Sequence, residues 1–346
     1  MATHDHSLIR NQLIDRRRRL EETINESREA AQYMRLLDEV DQALNRLNDG
    51  TYGICEVCKG TVEDERLAAD PLMRFCLECL SPAQQRALQR DLDLAARIQA
   101  GLLPNRDLAA SGPWQFSFHY EAAGPVSGDY CDVVKDGKGN FYFIVGDVSG
   151  KGVAAAMLMS NLHALFRSLI PVGLSLTQLM EQASRVFCES TLSTHYATLV
   201  CVKANANGEI EIVNAGHCPP VLIGSSGIST IGSHGLPLGM FCNEQFSVEK
   251  LQLKPGDALL LYTDGLAEAE DGDGNPYGHE RLCDVARACN AVAPELLVGK
   301  CLQDLKEFTP ARADDLTVMA VQWAPAEYSL PATERKAVTA ASKTVQ

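Results

Sequence analysis

Two cysteine pairs, Cys55-x2-Cys58 and Cys76-x2-Cys79, stand seventeen residues apart in this chain of 346. That spacing limits what the segment around them can become. Two knuckles of two thiolates each can close one tetrahedron on a zinc ion, and the metal supplies folding energy that so short a segment cannot draw from its own core. With Cys55, Cys58, Cys76 and Cys79 all used as ligands, no position is left for water, so one structural Zn2+ is expected. A chain this long also exceeds the usual single core and suits one large unit plus one small one.

Ahead of the cysteines, His6 to Asn48 is charged and rich in helix formers, broken near Thr23 to Ser27, which predicts a helical hairpin. Leu36, Leu37, Val40, Leu44 and Leu47 give its second helix an apolar stripe. Arg16 to Arg19 run in succession, and consecutive residues point around a helix, so a solvated surface is expected there in preference to a nucleic-acid patch. The turn formers Asp49-Gly50-Thr51-Tyr52-Gly53 lead into Cys55. After Cys79, Ser81-Pro82 supplies an N-cap and an N1 proline for a helix to about Leu103, stopped by Pro104. Leu88, Leu92, Ala95, Ile98 and Leu102 lie on one face of it, to be covered by the next domain or by a second copy in a homodimer.

Beyond Trp114 the pattern changes to strands at Gln115–Tyr120, Phe141–Val148, Tyr196–Lys203, Glu209–Val213, Ala258–Tyr262 and Leu316–Trp323. Helical stretches at about Val153–Ile170, Leu176–Ser190, Gly278–Cys289 and Pro294–Phe308 separate them. Strands grouped between helix pairs favour an α+β class, an α-β-β-α sandwich of two antiparallel sheets flanked by helices. The expected organisation is 1–81 for the hairpin and zinc module, 82–104 for a helical linker, 105–325 for the large domain and 326–346 for a flexible tail.

The net charge of −14 argues against nucleic acid as the main partner. No run of 18 or more uncharged apolar residues and no export signal is visible, so a cytoplasmic protein with no membrane partner is expected. Cys131, Cys188, Cys201, Cys218, Cys242, Cys283, Cys289 and Cys301 are scattered through apolar segments and expected to be reduced, most of them as small buried hydrophobes.

Four aspartates stand beside turn residues: Ser127-Gly128-Asp129-Tyr130, Gly146-Asp147-Val148-Ser149-Gly150-Lys151-Gly152, Thr263-Asp264-Gly265 and Ala313-Asp314-Asp315-Leu316-Thr317. Each alone reads equally as a turn or a helix cap. Carboxylates at strand ends from distant parts of a chain can converge, and four together need cations, for which hard oxygen donors indicate Mg2+ or Mn2+. The glycine-rich segment is not a P-loop, because only three residues separate Gly146 from Gly150-Lys151 and Gly152 replaces the serine or threonine.

Order and context carry two resemblances. Residues from about Leu36 to Leu80, with Asp49 to Cys55, Arg66-Leu67 and the second cysteine pair, resemble the DksA/TraR-type zinc finger. Some members of that family enter the RNA polymerase secondary channel; the turn near Asn25-Glu26 has no match to the acidic tip they use, which argues against polymerase as a partner. From about Asp91 to Trp323 the chain resembles the bacterial branch of the PPM metal-dependent protein phosphatases, that of the sigma-factor-regulating and sporulation phosphatases. The resemblance rests on Ala96 to Pro104, Gly128-Asp129-Tyr130-Cys131-Asp132, Gly146 to Gly152, Asn214-Ala215-Gly216-His217, Leu259 to Gly265 and Asp314-Asp315-Leu316-Thr317. Cys131 and Ser127 depart from the family's usual residues at positions that bind no metal.

This resemblance implies metal ligation by Asp129, Asp147, Asp264 and Asp314 and by the main-chain carbonyl of Val148, with Asp315 capping or orienting its neighbour. It further implies two divalent ions activating a water for in-line attack on phosphoserine or phosphothreonine, with no covalent intermediate. The implied substrate is a phosphorylated regulatory protein, commonly an anti-sigma-factor antagonist. His217 as proton donor to the leaving oxygen and His217 as a loop anchor both stay open. A rival reading is a non-catalytic transcription adaptor with a degenerate C-terminal scaffold, against which the intact aspartate set argues.

Overall fold

The computed structural model describes residues 7–26, 30–80, 82–105, 108, 112–191, 195–225, 227–289, 292–309 and 314–325. Ser81, residues 27–29 of the expected hairpin turn and the tail after Pro325 lie outside them. The chain forms two compact units, Met1–Asp91 and Leu92–Gln346.

In the first unit α1 (Ser7–Glu26) and α2 (Ala30–Asn48) form the hairpin. Leu13 and Leu20 of α1 are buried with Val40 and Ala43 of α2, and this core continues into the cysteine module through Tyr52, Val62, Leu67, Cys55 and Cys76. The short α3 (Asp64–Ala69) lies between the cysteine pairs. Arg17 pairs with Glu21 and Asp41, and Arg18 and Arg19 with Asp15, all at partly exposed positions, as a solvated helix surface requires. Helix α4 (Pro82–Ala100) follows, and the division between the units falls inside it.

The second unit contains two five-stranded antiparallel sheets. One has the order β1-β10-β9-β6-β7, from β1 (Trp114–Glu121), β10 (Leu316–Trp323), β9 (Ala258–Tyr262), β6 (Val221–Gly224) and β7 (Gly227–Thr230). The other has the order β2-β3-β4-β5-β8, from β2 (Asp129–Lys135), β3 (Phe141–Val148), β4 (Ala197–Ala204), β5 (Glu209–Ala215) and β8 (Glu249–Gln252). The alternation of β1 turns Trp114, Phe116 and Phe118 inward, where they meet Phe143, Val145, Val200, Leu261 and Met319 between the sheets. Helices α5 (Gly152–Leu169) and α6 (Leu176–Ser190) cover the β3 sheet through Met159, Leu162, Phe166, Leu179 and Phe187. After the short α7 (Asp264–Ala267), helices α8 (His279–Ala288) and α9 (Pro294–Phe308) cover the β10 sheet through Leu282, Ala286, Leu297 and Leu305. The architecture is the expected α-β-β-α sandwich.

Strands β3, β9 and β10 and helices α6 and α9 carry the expected bounds. Four strands lie outside the expected set: β2, whose Asp129 stands beside turn residues, and the short β6, β7 and β8. One cysteine expectation is corrected: Cys188 and Cys242 form a disulfide with Cα atoms 5.4 Å apart. The end of α6 meets the loop that follows β7, an encounter between residues 54 apart in sequence that no spacing announces. Cys131, Cys201, Cys283, Cys289 and Cys301 are buried free thiols, and Cys218 is half-buried.

Candidate active site

The register of β2 on β3 sets Asp129 directly opposite Asp147. In the facing sheet β9 and β10 pair so that Tyr262 meets Val318, which brings Asp264, two residues beyond β9, and Asp314, two before β10, to the same end. Hydrogen bonds join the two sheets there. Thr263 and Thr317 both donate their hydroxyls to Asp129 Oδ2, at 3.0 and 2.5 Å, and the Thr317 amide donates to Thr263 Oγ1 at 3.0 Å. Asp315 accepts from the amides of Ala123 at 2.7 Å and Gly128 at 2.9 Å, pinning the loop that leads into Asp129. Gln99 of α4 grips the same loop, accepting from the Ser127 amide and donating to its carbonyl, at 3.0 and 2.7 Å.

Close packing explains two glycines. A Cβ on Gly128 would come 3.0 Å from the Val148 carbonyl oxygen and 3.1 Å from Asp147 Oδ1, so glycine keeps that carbonyl and carboxylate facing one gap. A Cβ on Gly265 would fall 1.8 Å from the Asp315 carbonyl oxygen, which no side chain can do. Below the site Asp132, fully buried, receives both arms of Arg167 at 2.8 and 2.6 Å and so ties α5 to β2.

Burial and mutual repulsion act together on these carboxylates. Burial raises Asp129 well above the ordinary carboxyl range, and Asp147 adds repulsion that the threonine hydroxyls only partly offset. Burial likewise lifts Asp147 to about 7, reinforced by Asp264, Asp314 and Asp315, and lifts Asp264 with help from Glu268 and Asp314. Lys151 Nζ, 3.0 Å from Asp314 Oδ2, meets the cluster at its exposed rim. Oxygen donors in this number suit hard divalent cations, and Asp129, Asp147, Asp264 and Asp314 with the Val148 carbonyl are the groups that could hold them.

The hydrogen bonds of His217 are those of a loop anchor. The residue is buried; its Nδ1 lies 2.8 Å from Thr198 Oγ1, and Asn214 bonds both its amide and its carbonyl. Burial depresses its pKa to about 4, which favours the neutral ring, with a single N–H, at neutral pH. Thr263, Thr317 and Gln99, whose side chains do most of the positioning, sit inside the quoted motifs, yet no sequence signal distinguished them from their neighbours.

In the first unit the sulfurs of Cys55, Cys58, Cys76 and Cys79 lie within 4.8 Å of one another, the one group of metal-ligating side chains so close among the described residues. Cys58 Sγ is 3.6 Å from Cys76 Sγ. A tetrahedron with zinc–sulfur bonds of about 2.3 Å has an edge of about 3.8 Å, so the thiol set fits zinc.

Comparison with known proteins bears on both sites. Residues 50–85 match the prokaryotic dksA/traR C4-type zinc finger, and residues 137–324 match the Stage II sporulation protein E (SpoIIE) family. Protein IcfG of Synechocystis sp. is 30% identical over 60% of this chain and 37% of its own length. Phosphoserine phosphatase RsbP of Bacillus subtilis is 30% identical over 52% of this chain and 46% of its own length. The chain thus spans less than half of either relative. Among solved structures, the RsbU and RsbW domains of Rv1364c from Mycobacterium tuberculosis superpose with a TM-score of 0.54 at 27% identity, covering 67% of each chain. The SiaA-PP2C domain of Pseudomonas aeruginosa gives 0.62 at 19% identity over 70% of this chain and 99% of that one, a likeness of fold. Since the SpoIIE match takes in more than half of the chain, this protein belongs to the SpoIIE family.

Proposed function

We propose that this chain is a metal-dependent serine/threonine protein phosphatase that hydrolyses phosphoserine or phosphothreonine on a regulatory protein, an anti-sigma-factor antagonist. The observation that carries the reading is the pairing of Asp129 with Asp147 across β2 and β3, faced by Asp264 and Asp314 from the ends of β9 and β10. Two relatives, RsbP and RsbU of Bacillus subtilis, bear the name phosphoserine phosphatase. Two Mn2+ or Mg2+ ions, when bound, supply an activated water and neutralise charge on the phosphoryl oxygens. The chain's own residues hold that centre in place: Thr263 and Thr317 fix the Asp129 carboxylate, Asp315 and Gln99 fix its loop, and Gly128 keeps the Val148 carbonyl accessible. Lys151 sets a positive charge at the rim where a phosphate dianion enters. His217 serves as a loop anchor, and solvent supplies the proton of the leaving oxygen.

Hydrolysis of p-nitrophenyl phosphate that requires added Mn2+ or Mg2+ and ceases on chelation tests the chemistry. Capture of one phosphoprotein by an Asp264→Asn trap tests the substrate. Failure of the first removes the enzymatic reading; capture of an unrelated phosphoprotein removes the antagonist. The zinc module holds one Zn2+ in a structural role, and two chains pair through α4.

A further inference from the structure

Helix α5 lacks the outer face of an ordinary surface helix. Its inner face packs on the β3 sheet through Ala155, Met159, Leu162 and Phe166, and a helix so placed normally turns charge to the water. Between Lys151 and Arg167 it carries no Asp, Glu, Lys or Arg, and it turns outward Val153, Ala154 and Met157, the last 69% exposed. Neighbouring α6 exposes Arg185 and Glu189.

The apolar surface adjoins the metal-bearing turn. α5 begins four residues after Val148. The Ser149 amide donates to the Tyr196 carbonyl at 2.9 Å, and the Tyr196 amide donates to Ser149 Oγ at 3.0 Å, so the exposed ring of Tyr196 borders the same turn. Ala197 then exchanges both backbone bonds with Leu238, at 2.9 and 2.8 Å, which draws in the loop carrying exposed Leu236, Met240 and Phe241. That loop is anchored on α6 by the Cys188–Cys242 disulfide and by the Gly239 amide on Ser184 Oγ at 3.2 Å. Single exposed apolar side chains need no explanation, whereas a set of them around one catalytic turn does.

We propose that this surface docks the phosphoprotein substrate, holding the folded face beside the phosphoserine while the phosphoryl group reaches Asp129, Asp147, Asp264 and Asp314. The proposal rests on the phosphatase reading above. Continuity selects the occupant: a protein that presents a phosphoserine to these carboxylates approaches over Ser149 and the first turn of α5. The order of charge agrees, with exposed Lys151 at the phosphate end and an uncharged face beyond it. A bilayer is a poorer match, although α5 and its extension to Val172 have the length and hydropathy of a membrane span. One face of the helix is committed to the core, and between Lys151 and Arg167 the outer one carries no Lys or Arg to hold it along anionic lipid.

The test compares Met157→Gln and Phe241→Ser with the parent on two substrates, p-nitrophenyl phosphate and a purified serine-phosphorylated anti-sigma-factor antagonist. Both side chains are exposed, so Mn2+-dependent turnover of the small ester should stay within twofold, which about 0.4 kcal/mol would already produce. On the phosphoprotein, kcat/KM should fall at least about tenfold through KM, the loss expected when an interface anchor is cut back. Equal losses on both substrates, or none on either, would overturn the proposal. So would a parent enzyme that uses the phosphoprotein no better than the small ester. Parent sedimentation with phosphatidylglycerol vesicles that Met157→Gln abolishes would assign the face to a membrane, and a smaller oligomer in either variant would assign it to a second copy. If the parent fails to hydrolyse p-nitrophenyl phosphate, the phosphatase reading itself fails, separately from the docking surface.

Discussion

At the scale of the residue, charge decides between groups that provide chemistry and groups that provide shape. Asp147→Ala and Asp264→Ala each remove a ligand from a cluster of like charge, so each should lose activity by at least about a thousandfold, from several kcal/mol of transition-state stabilisation, while the fold persists. Activity within threefold of the parent, with unchanged circular dichroism, would refute their role. His217 predicts a different signature. Its folded pKa of about 4 lies below the ordinary imidazole value of 6.5, so between those values the unfolded chain binds a proton that the folded chain refuses. The contribution is complete above pH 6.5 and is lost as pH falls toward 4, by an amount on the order of 1–3 kcal/mol. His217→Asn should therefore flatten the decline in melting temperature between pH 7 and pH 5 while leaving the shape of the pH–rate profile unaltered. A lost limb in that profile would restore His217 as a proton donor.

At the scale of the element, the carboxylates are held by segments that contribute no ligand. Gln99→Ala would leave the amide and carbonyl of Ser127 unpaired in a buried setting, which costs about 1–3 kcal/mol, and would free the loop before Asp129. The Mn2+ concentration for half-maximal activity should rise severalfold, more than the maximal rate falls; an unchanged metal requirement would make the clamp purely structural. The elements that sequence made legible are those buried on both faces or strongly periodic, such as β9, whose five residues are all buried, and α6, which opens on a Ser175–Gln178 capping box. β2 escaped notice because Asp129 and Asp132 interrupt its apolar run, the first as part of the site and the second as the partner of Arg167. The four-residue strands β6, β7 and β8 are too short for a period to show. Motif order pointed to the clustered aspartates, but the threonine pair on Asp129 and the Asp315 brace depend on β-register between residues more than 130 apart, which local pattern does not encode.

At the scale of the whole molecule, the two units have separate cores, since the buried cluster around Val40 and Cys55 shares no residue with those of the sandwich. Cys55→Ser should release about one zinc per chain and unfold the small unit, while Mn2+-dependent hydrolysis of p-nitrophenyl phosphate continues. Loss of that hydrolysis together with the zinc would show that the units do not fold separately. The division between the units falls inside helix α4, whose apolar stripe is divided. Leu102, just past the helix, packs on the sandwich core and Gln99 clamps Ser127, whereas Leu88 and Ile98 are exposed. Pairing with the same helix of a second chain would cover that remainder. Because Ile98 adjoins Gln99, a helix shifted or rotated by pairing would move the clamp two residues from Asp129, which makes association a means of setting metal affinity. Leu88→Glu with Ile98→Glu places charge in such a seam while costing the isolated chain little, as both side chains already face water. The double variant should sediment as a monomer at concentrations where the parent is dimeric, and its rate per chain at limiting Mn2+ should change severalfold and return toward the parent's at saturating Mn2+. The same oligomer with the same rate would reduce α4 to a spacer whose exposed Leu88 and Ile98 serve no partner.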